Sequence, residues 1–182
     1  IYIWGDSAVG KTHLLKAMSQ LCPAKFLTSL SPIEEFIYDP RKTLYLIDDC
    51  DKLSSEKQIA AFSLFNQVRE NRTACMITAG SDSPLALTLR DDLKSRLCWG
   101  LVYQIKGLTD EEKIAALTEQ ARQRGFTLSQ GVLPDLITHY QRDMHSLSMI
   151  LDALDRYSLQ TKRTITLPLL HDLLHKKQEP TL

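Results

Sequence analysis

The fold is decided by the opening stretch IYIWGDSAVGKT, residues 1–12. Its first four residues form an apolar run typical of a buried strand, and a helical pattern follows at once. Between the two, the spacing G-x-x-x-x-G-K-T predicts a phosphate-binding loop, because the motif stands between a strand and a helix. The candidate phosphate-binding residues are Gly5, Asp6, Ser7, Ala8, Val9, Gly10, Lys11 and Thr12.

The residue types of this loop suit the chemistry of a nucleotide. Glycines at positions 5 and 10 permit backbone conformations and close approaches that a Cβ atom would obstruct. Backbone N–H groups then converge on the phosphates, helped by the positive end of the following helix. Lys11 offers a positive charge to the β- and γ-phosphates, and the hydroxyl of Thr12 is expected to bind Mg²⁺. The alternative is a glycine-containing turn with a chance lysine.

The composition limits the classes of protein to consider. The chain has 182 residues, enough for one domain or a domain with a small lobe, and 22 basic residues balance 22 acidic ones. This balance gives no support for the wide basic face of an autonomous DNA-binding protein. No apolar run reaches membrane-spanning length. Four cysteines without C-x-x-C spacing favour reduced thiols in the cytoplasm, and Cys75 is expected to be buried within a strand.

A second nucleotide-binding motif follows in the stretch TLYLIDD, residues 43–49. An apolar run without alternation predicts a strand buried on both faces, as in a parallel sheet, and ligands bind at the carboxyl ends of such strands. We therefore expect Asp48 to assist the Mg²⁺ site and Asp49 to orient an attacking water. Either acid could instead belong to an exposed turn. Asp51 is expected to cap the next helix.

Alternation of strands and helices continues to residue 105. Further strands are predicted at residues 25–30, 73–78 and 101–105, with helical patterns between them. The fold class is therefore α/β, with a five-stranded parallel sheet flanked by helices. Ser81 and Asp82 follow the strand at 73–78, so they either sense a γ-phosphate or serve as turn residues.

After Gly107 the sequence pattern becomes helical. Thr109 and Glu112 have the spacing of a capping box, and apolar residues at helical spacing predict four helices. We expect an α/β nucleotide-binding domain over residues 1–107 and a small all-α domain over residues 108–182.

Together these segments resemble the AAA+ family, whose modules place a phosphate loop, a Walker B strand, a polar loop, an arginine-bearing helix and a helical lid in this order. The stretch KSRLCWGL, residues 94–101, is similar to the K-S-R-x-x-W-G segment of the DnaA/Hda replication proteins. Residues 151–158 are similar to the Hda branch. The resemblance covers essentially the whole chain, and because no helix-turn-helix domain follows the lid, we expect a regulator and not an initiator.

The resemblance implies roles for individual residues. Arg96 falls on the arginine finger, which in Hda would promote hydrolysis of ATP held by DnaA across an interface. From the residues alone, an arginine paired with Asp91 or Asp92 is the simpler interpretation. Ser81 falls on the sensor-1 position, and His145 falls on sensor 2, where arginine is usual. Because histidine is largely neutral at pH 7, we expect ATP hydrolysis by this chain itself to be weak.

The resemblance also implies cofactors and partners. The cofactor would be ADP or ATP with Mg²⁺. The partners would be DnaA and a DNA-loaded sliding clamp, the clamp through an N-terminal segment expected before Ile1. We expect no strong direct DNA binding and no membrane, and leave homo-oligomerisation open. Two alternatives are a free-standing AAA+ ATPase of the helicase-loader type and a nucleotide-stabilised binding module. Arg142 is the arginine nearest to His145 that could replace a missing sensor-2 charge.

Overall fold

The computed structural model describes residues 1–140 and 143–178, and the side chains up to residue 174. The chain divides into two compact units, Ile1–Gly107 and Leu108–Leu182. The elements of the first unit are β1 (Tyr2–Trp4), α1 (Lys11–Ser19), β2 (Ala24–Leu27), β3 (Leu44–Ile47), α2 (Ser55–Asn71), β4 (Cys75–Gly80), α3 (Asp91–Cys98) and β5 (Val102–Gln104). Short 3-10 turns stand at Ile33–Glu35 and Cys50–Lys52.

The five strands form one sheet in the order β2-β3-β4-β1-β5. All four strand pairs are parallel, so every strand ends at the same edge of the sheet. The predicted fold class, a five-stranded parallel sheet flanked by helices, is confirmed. Because β1 lies between β4 and β5, the loop after β1 is next to the loop after β4.

Alternate residues of the inner strand β3 face opposite sides of the sheet, and both sides are buried there. In β3, Tyr45 and Ile47 join the apolar cluster formed with α2 and α3, whereas Leu46 joins the cluster that contains Leu15 of α1. All three β3 side chains are almost fully buried. Burying each such side chain contributes about 1.5–3 kcal/mol, which explains why the segment contains no polar residue before Asp48.

Two local expectations were wrong. Helix α2 is capped by Ser54, whose hydroxyl accepts a hydrogen bond from the N–H of Lys57, whereas Asp51 lies in the preceding 3-10 turn. Cys75 is exposed, because β4 begins with this residue at the rim of the sheet.

The second unit contains four helices among its described residues: α4 (Asp110–Gln123), α5 (Val132–His139), α6 (Met144–Thr161) and α7 (Leu167–Gln178). The capping box at the start of α4 is confirmed, with hydrogen bonds of 3.2 Å to the Thr109 hydroxyl and 2.8 Å to the Glu112 carboxylate. Leucines from all four helices form the core of this unit. No helix in the described part of the chain is both long enough and apolar enough to cross a membrane.

Candidate phosphate-loop and arginine sites

The phosphate-loop motif encloses the side chain of its own lysine. The Nζ atom of Lys11 donates hydrogen bonds to the backbone oxygens of Gly5, at 2.6 Å, and Asp6, at 2.8 Å. Lys11 is buried although it is charged, while Thr12, next to it in α1, is exposed. Ala8 and Gly10 both have positive φ angles, of 63° and 100°, so the loop is tightly curved. This curvature leaves the ammonium group inside the loop.

A glycine is required at position 5 because the segment after β5 approaches it closely. A Cβ atom at this position would lie 2.2 Å from the backbone oxygen of Ile105, which immediately follows β5. The glycine therefore lets the segment after β5 pack against the start of the loop. From the sequence, Gly5 is expected to be needed for its backbone conformation. Only the fold shows that the approach of the segment after β5 also requires a glycine here.

The two acids after β3 have different environments. Asp48 is buried, and its carboxylate accepts a 3.1 Å hydrogen bond from the N–H of Asp49. Asp49 adopts a left-handed backbone conformation with a φ angle of 47°, and its carboxylate forms a 2.8 Å ion pair with Lys52. Both acids stand at the edge of the sheet that carries the phosphate loop, but β4 separates β3 from β1.

The loop after β4 is held by contacts from two other segments. The Ser81 hydroxyl donates a 2.6 Å hydrogen bond to the Asp82 carboxylate, and the Ser81 N–H donates one of 3.3 Å to Asp51. From β1, the hydroxyl of Tyr2 donates a 2.6 Å hydrogen bond to the backbone oxygen of Asp82. Sequence analysis missed Tyr2, because nothing in an apolar strand indicates which loop its hydroxyl will reach.

Beneath this loop, Tyr2 and Cys50 are packed closely together. Burial raises the pKa of the Tyr2 hydroxyl, and the neighbouring Cys50 adds to the increase. Burial likewise raises the pKa of the Cys50 thiol to about 12, with Asp51 and Asp49 contributing. Cys50 is therefore an inert buried thiol at neutral pH. At Gly80 a Cβ atom would lie 2.3 Å from the Tyr2 hydroxyl oxygen, so this packing requires a glycine.

Arg96, in the last turn of α3, is held by aromatic rings and not by acids. Its guanidinium carbon lies 4.6 Å from the centroid of the Trp99 ring and 5.5 Å from that of Phe62. Its Nε atom is buried without a hydrogen-bond partner. The burial of a donor without a partner is unfavourable by about 1–3 kcal/mol.

The simpler interpretation of Arg96, an ion pair with a neighbouring acid, is wrong. Asp91 pairs with Lys94 at 3.2 Å, and Asp92 pairs with Arg90 at 2.7 Å. Within the described residues, Arg96 forms no ion pair with a carboxylate. In this part of the chain its guanidinium contacts aromatic rings instead.

Arg96 also lies at the edge of the sheet opposite the phosphate loop. It lines a cavity of about 160 Å³ together with Ile1, which precedes β1, and Met76, near the start of β4. The phosphate loop follows the last residue of β1, and Ser81 follows the last residue of β4. Met76 and Gly80 are separated by about 13 Å along β4, at about 3.3 Å per residue. The structure therefore does not bring Arg96 together with Lys11.

The oxygen ligands at the phosphate-loop edge suit Mg²⁺. Thr12 offers a hydroxyl and Asp48 a carboxylate, and Mg²⁺ typically takes one or two protein ligands while substrate phosphates and water complete its shell. Among the residues that the structure describes, no group of three or more His, Cys, Asp or Glu side chains could hold a metal by itself.

His145 belongs to the second unit, where it is the second residue of α6 and is exposed. Asp143 caps this helix through a 2.9 Å hydrogen bond from the N–H of Ser146, which lowers the pKa of the Asp143 carboxyl. Arg142, the alternative source of a sensor-2 charge, lies outside the described residues.

Comparisons with known proteins show which family the chain belongs to. An uncharacterized protein of Haemophilus influenzae is 38% identical over 186 aligned positions, which cover 96% of this chain and 80% of that protein. The family model for the Hda lid domain matches residues 110–174. The chain belongs to the Hda-like, DnaA-related AAA+ proteins. This family membership confirms the resemblance found in the sequence.

Solved structures of two DnaA proteins share the fold of this chain. Domain III of the replication initiation protein DnaA of Thermotoga maritima has a TM-score of 0.78 and 20% identity, with 99% of this chain and 85% of that chain covered. AMPPCP-bound DnaA of Aquifex aeolicus has a TM-score of 0.66 and 21% identity, with 84% of this chain and 55% of that chain covered. At these identities the likeness establishes a shared fold.

Proposed function

We propose that this protein is a nucleotide-binding regulator of replication initiation, which promotes hydrolysis of DnaA-bound ATP by supplying Arg96 in trans. The observation that carries this proposal is the environment of Arg96, whose guanidinium rests on Trp99 and Phe62 and has no acidic partner among the described residues. A charge held in this way is preorganised for an anion.

The position of Arg96 favours action on another protein's nucleotide. Phosphates bound by this chain would lie at the carboxyl edge of the sheet, whereas Arg96 lines a cavity at the amino edge, beside Ile1 and Met76. In this family such an arginine would contact a nucleotide across an interface. In other nucleotide-hydrolysing systems an arginine supplied in trans increases the rate about 10³- to 10⁵-fold.

The chain's own nucleotide would be ADP or ATP, held by Gly5 to Thr12. Phosphate oxygens would replace the Gly5 and Asp6 carbonyls as partners of the Lys11 ammonium. The AMPPCP complex of the Aquifex DnaA supports an adenine nucleotide as ligand. Bound Mg²⁺ would neutralise phosphate charge, with Thr12 and Asp48 as its protein ligands.

The remaining residues of the carboxyl edge have supporting roles in this proposal. Asp49 would orient water once its carboxylate is released from Lys52, and Ser81 would act at sensor 1 through a hydroxyl that now donates to Asp82. For His145 the lid-sensor role rests on the family resemblance. A single histidine in place of arginine favours retention of a nucleotide over its rapid hydrolysis.

The test is a reconstitution with ATP-loaded DnaA, clamp-loaded DNA and the full-length protein. We expect wild-type protein to stimulate DnaA hydrolysis and Arg96→Ala to lose nearly all of this stimulation. Arg41→Ala is the matched control, because Arg41 is exposed and forms an ion pair with the nearby Asp39. Equal stimulation by wild type and Arg96→Ala would refute the proposal. Omitting the clamp in a parallel reaction tests the proposed second partner.

A second candidate function is a free-standing ATPase of the helicase-loader type. It is favoured by the presence of Lys11, Asp48 and Asp49 at one edge of the same sheet. This function requires substantial ATP turnover by the isolated protein, which Lys11→Ala and Asp49→Asn would abolish. Turnover at background level would exclude it.

A further inference from the structure

Arg69, an exposed residue of α2, contacts the same aromatic ring as Arg96. Its guanidinium carbon lies 3.9 Å from the centroid of the Trp99 ring, and that of Arg96 lies 4.6 Å from the same centroid. Both distances are within the range of about 6 Å that defines a cation–π interaction. We propose that Arg69 is a positioning residue for Arg96, because it holds the indole ring against which the Arg96 guanidinium packs.

The need for such a residue follows from how Arg96 is held. Its Nε atom is buried without a hydrogen-bond partner, so no polar contact of this atom fixes the direction of the guanidinium. Packing against the rings of Trp99 and Phe62 must provide that direction. A catalytic group misplaced by about 1 Å can reduce the rate about 10²-fold, so a mobile ring would be costly for Arg96.

The indole ring of Trp99 is largely exposed to solvent. It follows the last residue of α3, and its exposed fraction is 58%, so most of the indole is not packed in the core. Arg69 reaches the ring from α2, a separate helix whose Phe62 also contacts Arg96. Restraint from a second helix reduces the rotation of the indole and, with it, the range of positions open to Arg96.

The packing of Arg69 and Arg96 on Trp99 also brings two positive charges close together. Their separation is below the Debye length of about 10 Å at 0.1 M salt, so they repel each other. Neither arginine forms an ion pair within the described ranges, although Glu70 and Arg72 line a neighbouring groove with Arg69. This repulsion opposes the packing, so the cation–π contacts of the two arginines with Trp99 must outweigh it.

The inference rests on the proposed function and is tested in the same reconstitution. We expect Arg69→Ala to lower the maximal rate of DnaA-bound ATP hydrolysis about 3- to 10-fold, the effect of losing one cation–π contact. The concentration that gives half-maximal stimulation should change less than about twofold. Arg69→Lys, which keeps a cation over the ring, should restore most of the rate, and Arg72→Ala should match wild type.

A double variant separates positioning from independent contact with the nucleotide. Because Arg69 acts through Arg96, Arg69→Ala should have no further effect in an Arg96→Ala background. A fluorescence measurement tests the packing of Arg69 on Trp99 independently of ATP hydrolysis. In a Trp4→Phe background, Arg69→Ala should increase acrylamide quenching of Trp99, whereas Arg72→Ala should leave it unchanged.

The outcomes distinguish this inference from the function on which it rests. If Arg96→Ala leaves hydrolysis unchanged, the proposed function fails and the positioning role fails with it. If Arg96→Ala abolishes stimulation but Arg69→Ala keeps the wild-type maximal rate, only the positioning role is overturned. A higher half-maximal concentration at an unchanged maximal rate also overturns it, because Arg69 would then be a docking contact.

Discussion

The hydroxyl of Tyr2 donates a 2.6 Å hydrogen bond to the backbone oxygen of Asp82, a residue 80 positions away. This contact joins the strand that precedes the phosphate loop to the loop that carries the sensor-1 candidate Ser81. Cys50, which follows the two Walker B acids, packs beside it. One buried tyrosine therefore contacts two of the segments whose residues we assign to the nucleotide site.

The space around Tyr2 is too small for a side chain at Gly80. A Cβ atom there would lie 2.3 Å from the hydroxyl oxygen but 3.2 Å from the ring carbon that carries it. We expect Gly80→Ala to reduce the free energy of unfolding by about 1–3 kcal/mol, as overpacking does. In a Tyr2→Phe background the same substitution should have a smaller effect, because the closest atom is gone. Urea denaturation of wild type, the two single variants and the double variant measures this coupling. Additive effects of the two substitutions would contradict the close contact between Gly80 and the Tyr2 hydroxyl.

Lys11 provides a test of nucleotide binding. Removing a buried charged donor with Lys11→Ala should weaken ADP binding in the presence of Mg²⁺ about 10- to 100-fold, measured by titration calorimetry. Lys16→Ala is the control, because Lys16 is an exposed residue of the same helix. An unchanged affinity in Lys11→Ala would show that the loop does not hold the phosphates as proposed.

The buried thiol of Cys50 predicts how stability changes with pH. Burial raises its pKa from 9.0 to about 12, so between these pH values the folded protein retains a proton that the unfolded chain releases. This contribution to stability is complete below pH 9 and is lost as the pH rises towards 12. The raised pKa of Tyr2 acts in the same direction.

We therefore expect the free energy of unfolding to decrease above pH 9. Cys50→Ala should make the free energy of unfolding fall less steeply with pH, by up to about 1.4 kcal/mol per pH unit, the value for one proton. Cys98→Ala is the control, because Cys98 is exposed. Chemical denaturation between pH 8 and 11 measures the slope, and a Cys50→Ala profile parallel to wild type would be inconsistent with the prediction.

The capping box provides a test in the second unit. Thr109→Ala removes the oxygen that accepts a 3.2 Å hydrogen bond from the N–H of Glu112. We expect a loss of about 1 kcal/mol in the free energy of unfolding of this unit, as for other N-cap substitutions. Thr118→Ala, at an exposed position in the middle of α4, should be close to neutral. Denaturation followed by circular dichroism compares the two, and equal losses would argue against a specific cap.

Local patterns were enough to predict much of the fold and part of the site. The run before Asp48 predicted a strand buried on both faces, and the capping box was found where its spacing placed it. Predictions of burial were wrong where burial depends on the position of a residue in the fold. Cys75 has an apolar neighbourhood in sequence but begins its strand at the rim of the sheet, so it is exposed.

The sequence by itself determined the elements, the curvature of the phosphate loop and the family, because glycine positions, caps and apolar periodicity act on neighbouring residues. Only the tertiary structure decided the strand order β2-β3-β4-β1-β5, the contact between Tyr2 and Asp82, and the rings and second arginine around Arg96. These features join residues far apart in the chain. They depend on how whole elements pack, and no local pattern specifies which side chains that packing brings together.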